Sequence, residues 1–424
     1  MVKNKTYQAE LEITSLGASG DGLAYSKGKK IFVPLALSGE KVLAEISGDR
    51  ARVLSISEKS PERRNPPCPY FGKCGGCTLQ HLTEDAYSNF KKDIFEKTLK
   101  MQGIEYHKDI DIFATKTESR RRAELVFYNL GNSNVMFGFN QKQSHNIVGI
   151  TKCLLLRPEI NQILEPLKKL CSRFEVKQKG DIKVTLGSNG LDILFKLKNP
   201  PDLEALENIS AFAQEYDLAA IGYTSLKEPD YMPVAVRRTP MINFSGYEVE
   251  IPQDCFLQPS QEGEAFLVSK IITEAVGSKY ALDVFSGLGV FTMALAKSGV
   301  EKIKAFELDN KMVASLNRSA FKDSQSDIKG FVRDIFKDPL SEEEFSDVDL
   351  VVIDPPRAGA AAQVAVLADM WCKPKKIVMI SCNPSTFARD AKKLIDGGYE
   401  VKNINCLDQF TFSSHLEVVG IFEC

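Results

Sequence analysis

At 424 residues the chain is too long to fold round one ordinary hydrophobic core, and two or three domains are expected. A hydrophobic fraction of 43% and a charged fraction of 26% describe a globular protein, with no apolar run long enough to span a bilayer. The formal net charge of −2 excludes a uniformly basic surface, so any contact with nucleic acid would have to come from local patches.

The opening MVKNKTYQAELEITSLG lacks the apolar core of a secretory signal, and a cytoplasmic protein is expected. Residues 1–60 then alternate in short segments (YQAELEIT, LAYS, KIFVPLA, EKVLAEIS, ARVLSISE) separated by the glycine-rich turns GASGDG and SKGKK. That pattern predicts a compact OB-like β-barrel, a shape suited to gripping single-stranded RNA. The stretch SLGASGDGLAYSKGKKIFVPLALSGEKV resembles the TRAM domain of RNA-modifying enzymes.

Residues 61–80, PERRNPPCPYFGKCGGCTLQ, carry too much Pro and Gly for regular structure. Ten cysteines in a cytoplasmic chain point to metal binding or catalysis rather than a disulfide framework, and Cys68, Cys74 and Cys77 crowd into this one loop. Three thiolates within reach of one centre need a distant fourth; Cys153 in GITKCLLL is the first choice and Cys171 the second. Such a set holds either tetrahedral zinc or a cubane iron–sulfur cluster, and ligand chemistry alone does not separate the two.

An amphipathic helix is predicted over 84–103, with Tyr87, Phe90, Ile94, Phe95 and Leu99 on one side. From there to residue 255 alternating segments such as RAELVFYN, VMFGFNQK, IKVTLG and LDILFKLK predict strands, with helices near Pro158–Phe174 and Asp202–Glu215. Residues 61–255 are read as a central α+β domain that holds the metal loop. The basic clusters Lys27/Lys29/Lys30, Arg63/Arg64 and Arg237/Arg238 are candidate RNA contacts. Arg120-Arg121-Arg122 is the strongest, because it leads directly into a strand that would hold it rigidly.

Residues 256–424 alternate strand and helix, the sign of a doubly wound parallel sheet. Strands are expected near Tyr280–Phe285, Lys302–Glu307, Ile328–Val332, Val348–Asp354, Lys376–Ser381, Glu400–Ile404 and Leu416–Phe422. ALDVFSGLG runs a strand into a turn containing Gly287, and Glu307 ends the next strand, placed to accept both hydroxyls of a ribose. The turn lacks the third glycine of a dinucleotide fingerprint, so S-adenosyl-L-methionine fits better than NAD; Asp334 would then face the adenine amino group. Asp354-Pro-Pro-Arg357 forms a stiff turn at the sheet's switch point. Across that crevice KIVMISCNPSTFARD ends a strand at Cys382, beside a helix capped by Ser385 or Thr386, where the helix terminus is expected to lower the thiol's pKa.

These segments together resemble the RNA uracil-5-methyltransferase family. The resemblance rests on the TRAM-like start, the three-cysteine loop, FLQPS at 256–260, DVFSGLGVF, IDPPRAG, ISCNPSTFARD and HLE at 415–417. It implies a class I methyltransferase fold, with Cys382 as nucleophile and Glu417 as general base. It places Gln258, Phe285, Glu307, Asp334 and Asp354 at cofactor-contacting positions and Cys68, Cys74, Cys77 and Cys153 as ligands of a [4Fe–4S] cluster. Members with such a loop include those acting on 23S ribosomal RNA, so an rRNA substrate is expected over tRNA, for a monomeric enzyme. Ser286 stands where many members have Cys, and Val290 where an Asn often contacts the cofactor.

The chemistry demands these groups. Uracil C5 is a weak nucleophile until a thiolate adds to C6, and a base must then remove the C5 proton so that the thiolate can leave. The target base must also be unstacked, which an RNA loop allows at low cost. Two other classes compete: an exocyclic-amine methyltransferase, which shares D-P-P but needs no thiol, and a non-catalytic RNA-binding iron–sulfur or zinc protein.

Overall fold

The computed structural model describes residues 6–321 and 325–424; the first five residues of the expected barrel lie outside the described residues. Two compact units emerge. One takes the chain up to Lys97 together with Asn140–Val148 and Phe410–His415; the other takes Thr98–Phe139, Gly149–Gln409 and Leu416–Cys424. Among the described residues no helix is long and apolar enough to cross a membrane.

In the first unit a six-stranded sheet contains the five expected segments and a two-residue strand, Ser15–Leu16, that alternation could not reveal. Its inward positions, including Ile13, Ile31, Val33, Val42 and Ile46, form a separate core, as strand periodicity requires. A second cluster, with Leu37, Leu79, Leu82 and Phe90, packs the helix Glu84–Met101 and the end of the cysteine loop.

Besides the two-stranded pair Met241–Phe244 and Tyr247–Glu250, the second unit holds two larger sheets among the described residues. One runs in the order Asn134–Asn140, Arg122–Gly131, Lys179–Gly187, Gly190–Leu197, Ala220–Ser225, Met232–Val236, with helices Pro158–Cys171 and Leu203–Glu215. The first helix stops three residues short of the expected Phe174, whose ring packs on Phe127 and Phe195.

The other sheet is eight-stranded. In chain order its strands are β1 (Ile112–Ala114), β2 (Tyr280–Val284), β3 (Lys302–Glu307), β4 (Asp327–Val332), β5 (Leu350–Ile353), β6 (Lys376–Ser381), β7 (Glu400–Asp408) and β8 (Glu417–Glu423), arranged β4-β3-β2-β5-β6-β8-β7-β1. Helices α1 (Gln261–Glu274), α2 (Val290–Lys297), α3 (Asn310–Ala320), α4 (Ala361–Asp369) and α5 (Pro384–Asp396) lie between them in sequence. β2 and β5 are apolar and buried along nearly their whole length, as strands covered on both faces must be.

The sheet is mixed rather than wholly parallel. β4, β3, β2, β5 and β6 run parallel, but β8 is antiparallel to both β6 and β7, and β1 enters from far earlier in the chain. β7 overshoots its expected end and returns through β8, which inserts between β7 and β6. This reversal fixes the site: Ser381 pairs with Val418 and Leu407 with Glu417, so the start of β8 meets the ends of β6 and β7.

The insertion needs one small residue. Gly420 in β8 lies under Phe387 of α5, and an added Cβ would stand 2.7 Å from that ring and 2.8 Å from the Phe422 ring. Gly420→Ala is expected to cost roughly 1–3 kcal/mol by overpacking, read as a fall of several degrees in the calorimetric melting temperature.

Candidate active site

β6 ends at Ser381, and Cys382 is the first residue beyond it, half-buried. The cap of α5 is Asn383, whose side-chain oxygen accepts from the Ser385 N–H at 3.1 Å, and not Ser385 or Thr386. Pro384 takes the first helical position, where its fixed φ belongs, and so moves the helix start forward. The motif also grips the turn opposite. Asn383 Nδ2 donates to the Arg357 carbonyl at 3.1 Å, Asp390 accepts from the Ala360 N–H at 2.8 Å, and Arg389 donates to the Ala358 carbonyl at 3.1 Å. Gly359 sits at φ +79°, where a Cβ would collide with Arg389 and Asp390. DPPRAG and SCNPSTFARD are therefore one hydrogen-bonded assembly.

Two carboxylates face the thiol. Asp354 follows β5, its N–H donating to the Val284 carbonyl at 3.2 Å, and Glu417 begins β8 with only 3% of its surface exposed. Burial raises the Glu417 carboxyl to about 7, against the hydrogen bond from Gln409 and the nearby Arg357 charge. Burial, then the charges of Glu417 and Asp283, push Asp354 well above the usual carboxylate range. The expected depression of the Cys382 thiol does not occur: burial, followed by the Glu417 and Asp354 charges, pushes it up to about 11, and Arg357 opposes this only in part. Burial and two anions outweigh one helix terminus.

Sequence reasoning missed Gln409, a buried residue just beyond β7. Its Nε2 donates to Glu417 Oε2 at 2.8 Å and to Gln258 Oε1 at 2.9 Å, while Gln258 Nε2 donates to Asp354 Oδ2 at 3.3 Å. Its only sequence signal is a polar residue where the alternation of a sheet-edge loop gives no reason for burial.

At the glycine turn Gly287 and Gly289 take φ of +55° and +88°, and Phe285 also has a left-handed φ of +67°, which non-glycine residues rarely accept. A Cβ on Gly287 would meet open space, so the backbone faces a clear approach. The Glu307 carboxylate accepts from the N–H groups of Gly287, Leu308 and Asp309 at 3.0, 2.7 and 2.9 Å, which orients it at the end of β3. Ser286 Oγ is buried without a hydrogen-bond partner, beside a cleft that Gln258, Glu264 and Asp354 also line. Beneath the turn, Thr292 donates to Asp283 at 2.6 Å, and burial pushes that carboxyl to about 7. Asp334 is engaged with its own loop, accepting from the Phe336 N–H and pairing with Lys337 at 3.1 Å; the Phe336 ring lies 5.2 Å from that of Phe285. The open glycine cradle and the orphaned hydroxyl fit a nucleoside ligand.

Arg121 and Arg122 of the triplet serve the fold rather than a free basic surface. Arg121 is buried, paired with Glu264, and donates to the Gln258 carbonyl at 2.9 Å; Arg122 donates to the Leu257 carbonyl at 2.9 Å and lies 5.3 Å over the Phe256 ring. Both thus hold the FLQPS segment that carries Gln258. Phe256 itself is 56% exposed.

Cys68, Cys74, Cys77 and Cys153 are half-buried cysteines, the soft donor set a cluster needs, yet among the described residues no three His, Cys, Asp or Glu side chains are drawn together as a metal site. Cys171, the second choice, is fully buried in its helix, and burial raises its pKa well above normal. The backbone at these positions is fixed: Cys68 N–H donates to Gln80 at 3.1 Å, and Asn161 brackets Cys153 by accepting from its N–H and donating to its carbonyl. Just past the loop, the Thr78 and Leu79 N–H groups both donate to the Phe412 carbonyl, at 2.8 and 3.0 Å.

The family described as tRNA (Uracil-5-)-methyltransferase matches residues 87–423. An uncharacterized RNA methyltransferase of Caulobacter vibrioides is 34% identical over 97% of this chain and 99% of its own. A 23S rRNA (uracil(1939)-C(5))-methyltransferase, RlmD, of Shewanella amazonensis is 29% identical over 99% of this chain and 97% of its own. Among solved structures, the tRNA (uracil-54, C5)-methyltransferase of Pyrococcus abyssi in complex with S-adenosyl-L-homocysteine aligns with a TM-score of 0.77 at 24% identity, covering 97% of this chain and 99% of that one, and so shares the fold.

The electrostatics of the thiol are directly measurable. Peptide-resolved iodoacetamide labelling of Cys382 against pH is expected to rise toward a midpoint near 11. Glu417→Gln removes the larger of the two raising charges and is expected to move that midpoint down by about one unit; an unmoved midpoint would leave burial and the Asp354 charge as the causes.

Proposed function

We propose, from the premise that the chain belongs to the tRNA (uracil-5-)-methyltransferase family, that Cys382 and Glu417 act as nucleophile and base on a uridine of 23S ribosomal RNA. The protein is an RNA (uracil-5-)-methyltransferase that methylates uracil C5 with S-adenosyl-L-methionine. What carries the reading of the site is the meeting of β6 and β8, which sets a thiol, a buried carboxyl near neutrality and a second carboxyl at one sheet end.

In this reading the Cys382 thiol gives up its proton to solvent, the thiolate Sγ bonds to C6 of the unstacked uracil, and the electron pair displaced from the C5–C6 bond, shared with the ring O4, makes C5 nucleophilic. When bound, S-adenosyl-L-methionine supplies an electrophilic methyl group. Gly287, Glu307 and the Ser286 hydroxyl would hold its nucleoside part, with Phe285 and Asp334 alongside and Gln258 and Asp354 on the face toward the thiol. Once C5 carries the methyl group, the Glu417 carboxylate takes the C5 proton, the ring double bond re-forms and the S–C6 bond breaks. A base at about 7 suits this step, since it is largely ionised just above neutrality and still basic enough to accept a carbon-bound proton. Arg357 is placed to favour the ionised forms of both Cys382 and Glu417.

The rRNA substrate is supported by the Shewanella relative, which matches along nearly the whole chain, and by the three-cysteine loop. Cys68, Cys74, Cys77 and Cys153 would ligate a [4Fe–4S] cluster, and the backbone bonds from Thr78 and Leu79 to Phe412 would make that loop a brace for the segment leading into Glu417.

RNA bearing 5-fluorouridine at the target is expected to form a denaturation-resistant adduct with the enzyme, lost in Cys382→Ala. Mass mapping in cells lacking the gene should show one 5-methyluridine missing from 23S rRNA; loss from tRNA instead would redirect the substrate. Anaerobically purified protein is expected to be brown with about four iron and four sulfide per chain. Cys74→Ser should remove the colour and increase proteolytic cutting within 410–415, whereas a colourless wild-type protein holding zinc would overturn the cluster.

A further inference from the structure

We propose that Gln409 is a positioning residue that holds the Glu417 carboxylate as an oriented proton acceptor and ties it, through Gln258, to Asp354. The inference rests on the reading of Glu417 as the base and adds a residue that neither the sequence pattern nor the family resemblance marked.

The four groups form one chain of hydrogen bonds: Glu417 Oε2 accepts from Gln409 Nε2 at 2.8 Å, Gln258 Oε1 accepts from the same Nε2 at 2.9 Å, and Asp354 Oδ2 accepts from Gln258 Nε2 at 3.3 Å. An ionised Glu417 only accepts, so Gln409 must present its NH₂ to it. Gln258 Oε1 accepts from that same NH₂, which leaves the Gln258 NH₂ facing Asp354. The polarity of the chain is therefore set from the Glu417 end.

The arrangement carries a local cost. Gln409 Oε1 is buried and makes no hydrogen bond, so this side chain satisfies the two neighbours at the expense of its own acceptor. Room for that oxygen comes from Gly263 in the first turn of α1, where a Cβ would stand 2.6 Å from Gln409 Oε1. A residue merely filling space there would do better as leucine or methionine. The amide's use lies in its donated hydrogen bonds, which favour the ionised form of Glu417 against the effect of burial.

Single-turnover methylation of target RNA against pH distinguishes this role from packing. Gln409→Leu is expected to shift the acidic limb upward by about one unit and to slow the reaction about tenfold below it. Removal of a hydrogen bond to the ionised form raises the base's pKa, so a higher pH is needed to reach the active form. Because C5 deprotonation is then the slow step, covalent enzyme–RNA adduct should accumulate on ordinary, unfluorinated RNA. Gly263→Ala, which displaces the Gln409 amide and leaves its chemistry intact, should move the limb in the same direction and serves if the leucine variant does not fold. An unmoved limb with no adduct in these variants overturns the inference. Glu417→Gln run in parallel separates the two claims: turnover surviving there removes the base itself, whereas a stalled Glu417→Gln beside an unshifted Gln409→Leu removes only the positioning role.

Discussion

The antiparallel insertion of β8 between β6 and β7 is the constraint on which the site depends. A parallel last strand would carry its first residue to the opposite end of the sheet, roughly 20 Å from Cys382 at the usual rise for a six-residue strand. Reversed, β8 starts where β6 ends, and the pairing of Ser381 with Val418 leaves Glu417 beside the thiol. The parallel pairing of β2 with β5 does the same for the other half, since Val284 opposite Ile353 brings Phe285 and Asp354 to a common edge. Two registers, one antiparallel and one parallel, thus bring four separate sequence motifs to one place.

That convergence concentrates negative charge in a poorly solvated volume. Asp283, Asp354 and Glu417 all have raised pKa values from burial, and the latter two raise Cys382 in turn. A free enzyme with its thiol near 11 holds roughly one thiolate in ten thousand at neutral pH. This protects a half-buried cysteine from adventitious alkylation and oxidation, because the thiolate is the reactive form. In the proposed reading, reactivity would belong to the loaded site, where the thiol would lie against its target carbon.

Much of this was legible in the sequence, and the limits have physical causes. The strands of the methyltransferase sheet are continuous apolar runs closed by Gly, Pro or an acidic residue, so Lys302–Glu307 and Lys376–Ser381 coincide with expectation to the residue. Direction was not legible, because an apolar run reads the same whether the strand runs parallel or antiparallel; hence the reversal of β8 went unseen. β1 has three residues, too few for any period. The helix cap was misplaced because Asn383, Ser385 and Thr386 are all capable, and only the position of Pro384 decides among them.

The arginine triplet and Gln409 show the same limit at the level of side chains. Sequence places Arg121 beside a rigid strand but does not reveal that Glu264, 143 positions on, supplies a buried counter-charge. Once that pair forms, the Arg121 guanidinium is buried and engaged by Glu264 and the Gln258 carbonyl, away from any phosphate at the surface. Its contribution to function passes through the backbone of Gln258 instead, and Gln258 in turn passes its side-chain oxygen to Gln409 and its NH₂ to Asp354. Residues that look like independent surface or filler positions in sequence are therefore one buried polar network, in which each member is oriented only because the next is.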